Sequence, residues 1–168
     1  MEIRPNLQVV VRAPLQMTNE DIHRFLWEKR GWLEKHLRAM GEQERVAALP
    51  FTAEEIRTMT EQAQGDIPRR VAKFAPLVGV TVGRITIRHQ KTRWGSCSAE
   101  GNLNFNCLLM LCPERVRDYV VVHELCHRKE LNHSAAFWSL VEHVMPEYKA
   151  CYRWLKQHGG GIIGRLRE

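Results

Sequence analysis

The fold is decided by the stretch Val120-Val121-Val122-His123-Glu124-Leu125-Cys126-His127, with His133 six residues further on. On an α-helix each residue advances about 100°, so His127 lies at about 40° and Glu124 at about 100° from His123. All three side chains therefore share one face, and the two imidazoles are one turn apart. This spacing suits one tetrahedral cation held through imidazole nitrogens, with the glutamate beside it rather than bound to it.

His133 is the expected third ligand, provided that the chain turns before it. On a continuous helix it would lie at about 280° from His123, away from the pair. Asn132 tolerates the left-handed conformation that ends helices, and Ser134 is a suitable N-cap for a following helix. Three protein ligands and one open position are typical of a catalytic zinc site. The competing third ligands are His143, Glu142 and Glu147.

The alternative interpretation of this motif is an accidental group of surface or core histidines. The run from Tyr119 to Val122 is apolar, however, and Pro113 fits the first turn of the same helix. A buried helix would enclose two histidines and a glutamate, and burying these groups without partners is costly. A metal removes that cost. We therefore predict one Zn²⁺ per chain, with Glu124 as the catalytic general base.

Length and composition are those of one ordinary domain. The chain has 168 residues, of which 44% are hydrophobic, enough for a real core. We expect one domain made of an N-terminal strand and helix lobe at 1–50, a catalytic core at 51–158 and a tail at 159–168. There is no membrane-spanning run and no signal-peptide pattern, so the expected location is the cytoplasm. The five cysteines are an odd number and are expected to be reduced.

The net charge is +6, from 25 basic and 19 acidic residues. A basic balance favours anionic partners such as nucleotides, nucleic acid or acidic surfaces. A solvated basic surface that binds nothing explains the same number equally well.

Two capping boxes mark the starts of helices, Thr18 with Asp21 and Thr52 with Glu55. The first helix is expected to end at Gly41, followed by a connection to residue 51. The other expected elements are a Val-rich strand from Leu7 to Arg12 whose partner strand is left open, a second helix toward Leu77 with an interruption near Gly65 and Pro68, and a helical pattern from Ala135 to about His158 that breaks at Pro146.

The middle of the chain predicts a small sheet. Residues 85–88 alternate as a half-buried strand. Residues 91–98 and 102–106 then predict a hairpin around an Ala-Glu-Gly turn. Leu103 and Phe105 should face inward, and the three asparagines of the second strand outward.

This hairpin bears on function, because a sheet edge beside a metal site can pair with an extended peptide. Gly95 permits close backbone approach, and Lys91 and Arg93 are placed to hold an anionic or carbonyl group. An alternative interpretation fits the sequence equally well. In it Trp94 is a core residue, Gly95 marks a bulge, and the charges of Lys91 and Arg93 are solvated. Arg93 and Tyr148 are the candidates for stabilising an oxyanion. The candidate substrate contacts are Lys91, Arg93, Trp94, Gly95, Ser96 and Tyr148.

Several motifs occur in order along the chain: Arg93-Trp94-Gly95-Ser96-Cys97, Gly101-x-Leu103-x-x-Asn106, Tyr119-Val120-Val121-x-His123-Glu124-Leu125-x-His127, Asn132-His133-Ser134 and Met145-Pro146-x-Tyr148. Together they resemble the YgjP-like metallopeptidase family, whose relatives are the SprT-like and WLM zinc proteases. The resemblance covers nearly the whole chain and is densest from 91 to 154.

The resemblance implies a compact zincin-type α+β domain with a small, mostly antiparallel sheet, an active-site helix and a small N-terminal lobe. It also implies that His123, His127 and His133 are the metal ligands and Glu124 the catalytic base. Glu130 stands where the metzincin relatives have glycine. The turn after the helix is therefore expected late, near residue 132.

Three functions remain open at this point. The first is a zinc-dependent metallopeptidase that cleaves peptide bonds by glutamate-assisted attack of zinc-bound water. The second is a metal-dependent UTP pyrophosphatase, in which Lys91 and Arg93 would bind the phosphates of the substrate. The sequence has no Gly-rich phosphate loop, which argues against this function. The third is a non-catalytic metal-binding module that contacts nucleic acid or protein through its basic surface.

Overall fold

The computed structural model describes residues 1–3, 9–14, 16–47 and 49–166, with the backbone alone at 39–47. The architecture is α+β, as expected, and the chain divides into two compact units, Met1–Leu49 and Pro50–Glu168. None of the helices in the described ranges is both long and apolar enough to cross a membrane.

The first unit begins with two short antiparallel strands, β1 (Glu2–Ile3) and β2 (Val9–Val10). The strand predicted from Leu7 to Arg12 contains β2, but it is shorter than predicted, since Val11 and Arg12 lie beyond it; Leu7 and Gln8 lie outside the described residues. Its partner is β1, with Ile3 opposite Val9, so both strands of this ribbon lie within the chain.

Two helices follow where the sequence predicts one: α1 (Asn19–Glu28) and α2 (Arg30–Ala47). Thr18 caps α1 with the expected capping box. The helix breaks at Lys29, which has φ −90° and ψ 2°. The expected end at Gly41 is wrong, because α2 continues through it; a glycine inside a helix costs only about 1 kcal/mol.

The second unit contains a three-stranded sheet in the order β3-β5-β4. The predicted hairpin is confirmed, since β4 and β5 pair antiparallel with Gly95 opposite Phe105. Strand β3 pairs with β5 in parallel, so β4 is an edge strand. The elements of this unit are α3 (Ala53–Val78), β3 (Ile85–Arg88), β4 (Gly95–Cys97), β5 (Leu103–Asn106), a 3₁₀ helix (Cys107–Leu111), α4 (Glu114–Cys126), α5 (Ala135–Val144) and α6 (Tyr148–Ile163).

Helix α3 starts at the predicted capping box of Thr52 and runs on to a left-handed Gly79 with φ 73°. The expected interruption near Gly65 and Pro68 does not occur. A proline inside a helix removes one backbone donor. Pro68 therefore leaves the Gln64 carbonyl without its usual N–H donor, and the neighbouring Gly65 carbonyl accepts from the Arg69 side chain at 2.7 Å.

The core lies where α3 packs against α4 and the sheet. Ile67 and Val71 of α3 and Val121, Val122 and Leu125 of α4 are each at most 2% exposed. Fully burying one such side chain contributes roughly 1.5–3 kcal/mol. Helix α4 is therefore held from several sides, and this fixes the position of every side chain it carries.

An ion-pair cluster between α3 and α4 fixes their register. Arg70 donates through Nε to Asp66 at 2.6 Å, and it also bonds to Asp118 on α4. Arg117 of α4 returns to Asp66 at 3.1 Å. Because these groups are mostly shielded from solvent and share partners, a shift of one helix along the other would leave several charges unpaired.

Strand β5 confirms the inward prediction for Leu103 and Phe105, which are 0% and 1% exposed. The outward prediction is wrong for Asn106, which is 0% exposed. Asn106 is the last residue of the strand, and its side chain turns toward the loop that precedes β4.

Three hydrogen bonds hold the Asn106 side chain. Its amide nitrogen donates to the carbonyls of Gln90 and Arg93 at 2.7 and 3.0 Å, and its oxygen accepts from the Leu108 N–H at 3.1 Å. One buried side chain thus fixes both the loop that leads into β4 and the start of the 3₁₀ helix.

The last two helices break at Pro146, as predicted, but α6 continues past the expected end at His158 to Ile163. The predicted tail is therefore helical up to that residue. Ile162 and Ile163 of this last stretch pack against the core. A Cβ at Gly159 would lie 3.1 Å from Nε1 of Trp94, so the glycine lets the helix approach the indole.

Replacing Asn106 by alanine should lower the free energy of unfolding by about 2–3 kcal/mol, because it leaves buried backbone groups without partners. Asn104→Ala on the same strand is the matched control. Its half-buried amide bonds only side chains, so we expect a loss below about 1 kcal/mol. Urea denaturation measures both variants, and equal losses would contradict the anchoring role.

Candidate metal centre

The structure brings the three predicted histidines together. Helix α4 presents His123 in its last turn and His127 at its C-cap. Their Nε2 atoms lie 3.3 Å apart, and Nε2 of His133 lies 2.9 Å from that of His123. All three ligand atoms fall within 4.8 Å of one another, so the cluster could hold a metal ion.

The turn that brings His133 back starts earlier than predicted. Helix α4 ends at Cys126, and the following N–H groups of Arg128 and Lys129 bond three residues back, at 3.0 Å each. Nδ1 of His127 then meets the Glu130 carbonyl at 2.9 Å. The expected turn near residue 132 is therefore wrong. The contact uses a backbone oxygen of Glu130, so the tight turn needs no glycine there.

Asn132 and Ser134 shape the approach to the second helix. The Asn132 side chain accepts from the Ser134 N–H at 3.2 Å. Ser134 caps α5, as predicted, by accepting from the Phe137 N–H at 3.2 Å. His133 stands between these two locally bonded residues, and this holds its backbone in place.

The competing ligands lie elsewhere. Glu142 and Glu147 form surface ion pairs with basic residues at 3.0 and 2.8 Å, and His143 is exposed. None of the three belongs to the group of side chains that could hold a metal.

The hydrogen bonding and packing of the imidazoles fit a metal. Because Nδ1 of His127 faces a carbonyl, it carries the proton and leaves a lone pair on Nε2, which points into the cluster. Phe137 stacks on His127 with the ring centroids 4.5 Å apart, and Trp138 stacks on His133 at 5.6 Å. These contacts restrict the ring orientations.

The electrostatics of the cluster also fit a cation. Burial, and then the neighbouring imidazoles, lower the pKa of His123 to about 3. Burial also lowers the pKa of His127, which the Glu130 carbonyl opposes. Both rings are thus neutral near pH 7, the form that binds a metal.

Glu124 is buried beside this cluster and is only 6% exposed. Burial raises the pKa of its carboxyl to about 8, a shift that the positive charge of Arg93 partly opposes. The edge strand lies directly against it: a Cβ at Gly95 would be 2.7 Å from both Cγ and Oε1 of Glu124. Gly95 is thus a site of close approach between β4 and α4.

A cavity of about 410 Å³ opens beside Glu124. It has the size of a ligand pocket, and most of its wall is apolar or aromatic. Its lining residues are Trp94, Gly95, Tyr119, Val120, His123, Glu124, Tyr152, Leu155 and Lys156.

Of the predicted substrate contacts, Trp94 and Gly95 line this cavity. Ser96 bonds the Asn104 amide at 3.2 Å instead. Tyr148 is buried and stacks on Trp138, with centroids 5.4 Å apart. The remaining two candidates, Lys91 and Arg93, are exposed outside the lining.

Five lining residues were missed from the sequence: Tyr119, Val120, Tyr152, Leu155 and Lys156. The last three recur at i, i+3 and i+4 on α6, which predicts a shared face. The sequence carries no signal that this face looks into the cavity.

The fold and the converging imidazoles beside a buried carboxylate define the class of metal-dependent hydrolases. The sequence model of a family described as "YgjP-like, metallopeptidase domain" matches residues 1–57 and 52–158. The chain belongs to the YgjP-like metallopeptidase family.

Two solved structures are similar to this chain. One is the metallopeptidase zymogen of Pyrococcus abyssi abylysin, with 23% identity, a TM-score of 0.49 and coverage of 54% of this chain and 93% of that one. The other is the metallopeptidase zymogen of Methanocaldococcus jannaschii jannalysin, with 22% identity, a TM-score of 0.49 and coverage of 55% and 95%. No curated protein matches the sequence.

Removing His133 should weaken metal binding at least about tenfold. Loss of a group that only hydrogen-bonds a metal ligand already costs about 10- to 100-fold in affinity, and loss of a ligand should cost no less. We expect the wild type to bind one Zn²⁺ and to gain thermal stability from it, because the ion binds the folded state. Competition against a chromophoric chelator measures His133→Ala, and His143→Ala is the matched control. Unchanged affinity in His133→Ala would exclude this residue as a ligand.

Proposed function

We propose that this protein is a zinc-dependent metallopeptidase that cleaves peptide bonds in the cavity beside Glu124. The observation that carries the proposal is the buried carboxylate of Glu124 next to His123, with both side chains lining the same cavity. A substrate in that cavity would meet the metal cluster and a proton acceptor together.

Zinc is the proposed metal, held by His123, His127 and His133. Imidazole ligands suit zinc better than magnesium or calcium, which prefer oxygen, and the cluster contains no carboxylate. When bound, zinc would supply a Lewis acid that polarises a carbonyl and lowers the pKa of water toward neutrality.

Glu124 is the proposed general base. Burial raises its pKa to about 8, and the positive charge of a metal at the imidazoles would lower that pKa and favour the carboxylate. The carboxylate would then accept a proton from the attacking water and return it to the leaving amine. The contact with Gly95 limits where this side chain can go, because the strand backbone closes one side of it.

The edge strand β4 supports a peptide substrate. It pairs with β5 on one side, and its first residue, Gly95, lines the cavity. An extended peptide can add to such an edge by main-chain hydrogen bonds and place alternate side chains toward the cavity. A nucleotide has no peptide backbone, so it cannot pair with a strand edge in this way.

We propose the cytoplasm as the location. Cys97, Cys107, Cys112, Cys126 and Cys151 are all free thiols, and four of them are buried. Reduced, buried cysteines are typical of proteins in a reducing compartment.

Glu124→Gln should retain the metal and lose about 10²- to 10⁴-fold in peptide turnover, because the amide cannot accept a proton. Zinc content by elemental analysis and cleavage of casein measure the two effects. A variant with normal zinc and normal turnover would refute the assigned base.

The substrate class is tested on the wild type with casein and UTP in parallel, each with and without a chelator. We expect chelator-sensitive release of peptides and no release of pyrophosphate. The opposite pattern would establish the nucleotide alternative.

Gly95→Ala should reduce turnover about tenfold or more, because the new Cβ displaces the Glu124 carboxylate and small misplacements are costly in catalysis. Ser96→Ala is the matched control on the same strand, since it removes only the bond to Asn104. We expect both variants to bind zinc normally. Equal turnover in the two would show that the contact does not position Glu124.

A further inference from the structure

One wall of the cavity comes from a single face of α6. Tyr152, Leu155 and Lys156 have the spacing that puts side chains on the same face of a helix, and all three line the cavity. One turn further on, Gly159 packs against Trp94, which lines the cavity too. Helix α6 is thus held by a close backbone contact at the position where it forms this wall.

The charges of the cavity differ in their surroundings. Glu124 is buried, whereas Lys156 lines the same cavity and is exposed. The Lys156 ammonium lies 5.4 Å from the centroid of the Tyr152 ring. Within the described part of the chain, no hydrogen bond or ion pair engages it. An ammonium that is solvated and lies at the edge of an apolar cavity can bind an anion with little desolvation cost.

We propose that Lys156 binds a carboxylate of the substrate, so that the peptidase favours peptides with an acidic group at this position. The inference rests on the proposed peptidase function and names its substrate class. The apolar wall of Trp94 and Leu155 would take the aliphatic part of the bound residue, while the cation binds its charged end.

Two sources can supply this carboxylate: the side chain of Asp or Glu, or the C-terminus of the peptide. Both present two acceptor oxygens to an ammonium. The second source would restrict cleavage to bonds near the end of a chain, and the first would not.

The test uses pooled, fluorescently labelled hexapeptides with acetylated N-termini. Two amidated pools differ only in a fixed Glu or Gln, and a third pool carries the fixed Gln with a free C-terminal carboxylate. The variants are Lys156→Met, which keeps the length and removes the charge, and Lys156→Glu, which reverses it. Arg153→Glu is the control, with the same charge change at an exposed residue of α6 outside the lining.

For the wild type we expect kcat/KM on the Glu pool to exceed that on the Gln pool by about three- to tenfold, the size of a partly exposed ion pair. Lys156→Met should abolish the preference, Lys156→Glu should reverse it, and Arg153→Glu should keep it. A preference for the free-acid pool over its amidated counterpart would assign the C-terminus as the source. Equal rates on all three pools, or a Glu preference that survives in Lys156→Glu, would overturn the inference.

Binding of the same pools to metal-free protein, followed by fluorescence anisotropy, separates this inference from the proposed function. If zinc-loaded protein cleaves no pool but metal-free protein still prefers the acidic ones through Lys156, the peptidase proposal fails and the carboxylate site stands. If cleavage is normal and binding shows no charge preference, the inference fails alone. Absence of binding to every pool would overturn it as well.

Discussion

The rest of the structure depends on polar groups carried by a buried helix. Helix α4 packs its valines and Leu125 into the core and still carries His123 and Glu124, which are mostly shielded from water. Such groups are costly to bury unless something satisfies them. The two further imidazoles place three nitrogen atoms around one point where a metal could be held, and Glu124 lines a cavity that could admit a substrate. The turn after α4 contacts His127, the edge strand packs against Glu124, and α6 forms one wall of the cavity.

Close backbone contacts set the dimensions of the site. Gly95 lets the edge strand reach the Glu124 side chain, and Gly159 lets α6 reach Trp94. Asn106 holds the loop that leads into the same strand through the carbonyls of Gln90 and Arg93. These contacts come from three different elements, and they converge on the short segment from Gln90 to Gly95 that leads into β4. The width of the cavity therefore follows from positions where a larger side chain would not fit.

Local signals in the sequence predicted much of this arrangement. The helical spacing of the motif, both capping boxes, the hairpin and the Ser134 cap depend on neighbours a few residues apart, and the structure contains each of them. The predictions that failed depend on contacts with backbone groups or distant residues, which a local sequence pattern does not specify. The turn after α4 closes on a backbone carbonyl, Asn106 turns toward a loop, and three glycines that look like a tail are helical. The spacing of Tyr152, Leu155 and Lys156 predicts a shared face of α6, but the sequence does not indicate that this face lines the cavity.

The two charges at the ends of the cavity suit different tasks. A carboxylate in a dry environment interacts strongly with a nearby proton or cation, because few water dipoles screen it. A solvated lysine interacts weakly, but it binds and releases a charged group without a large reorganisation. A hydrolase needs the first property at the scissile bond and the second where the substrate enters and the product leaves. The burial of Glu124 and the exposure of Lys156 follow this division, and so the proposed chemistry and the proposed selectivity can reside in one cavity without competing for the same residues.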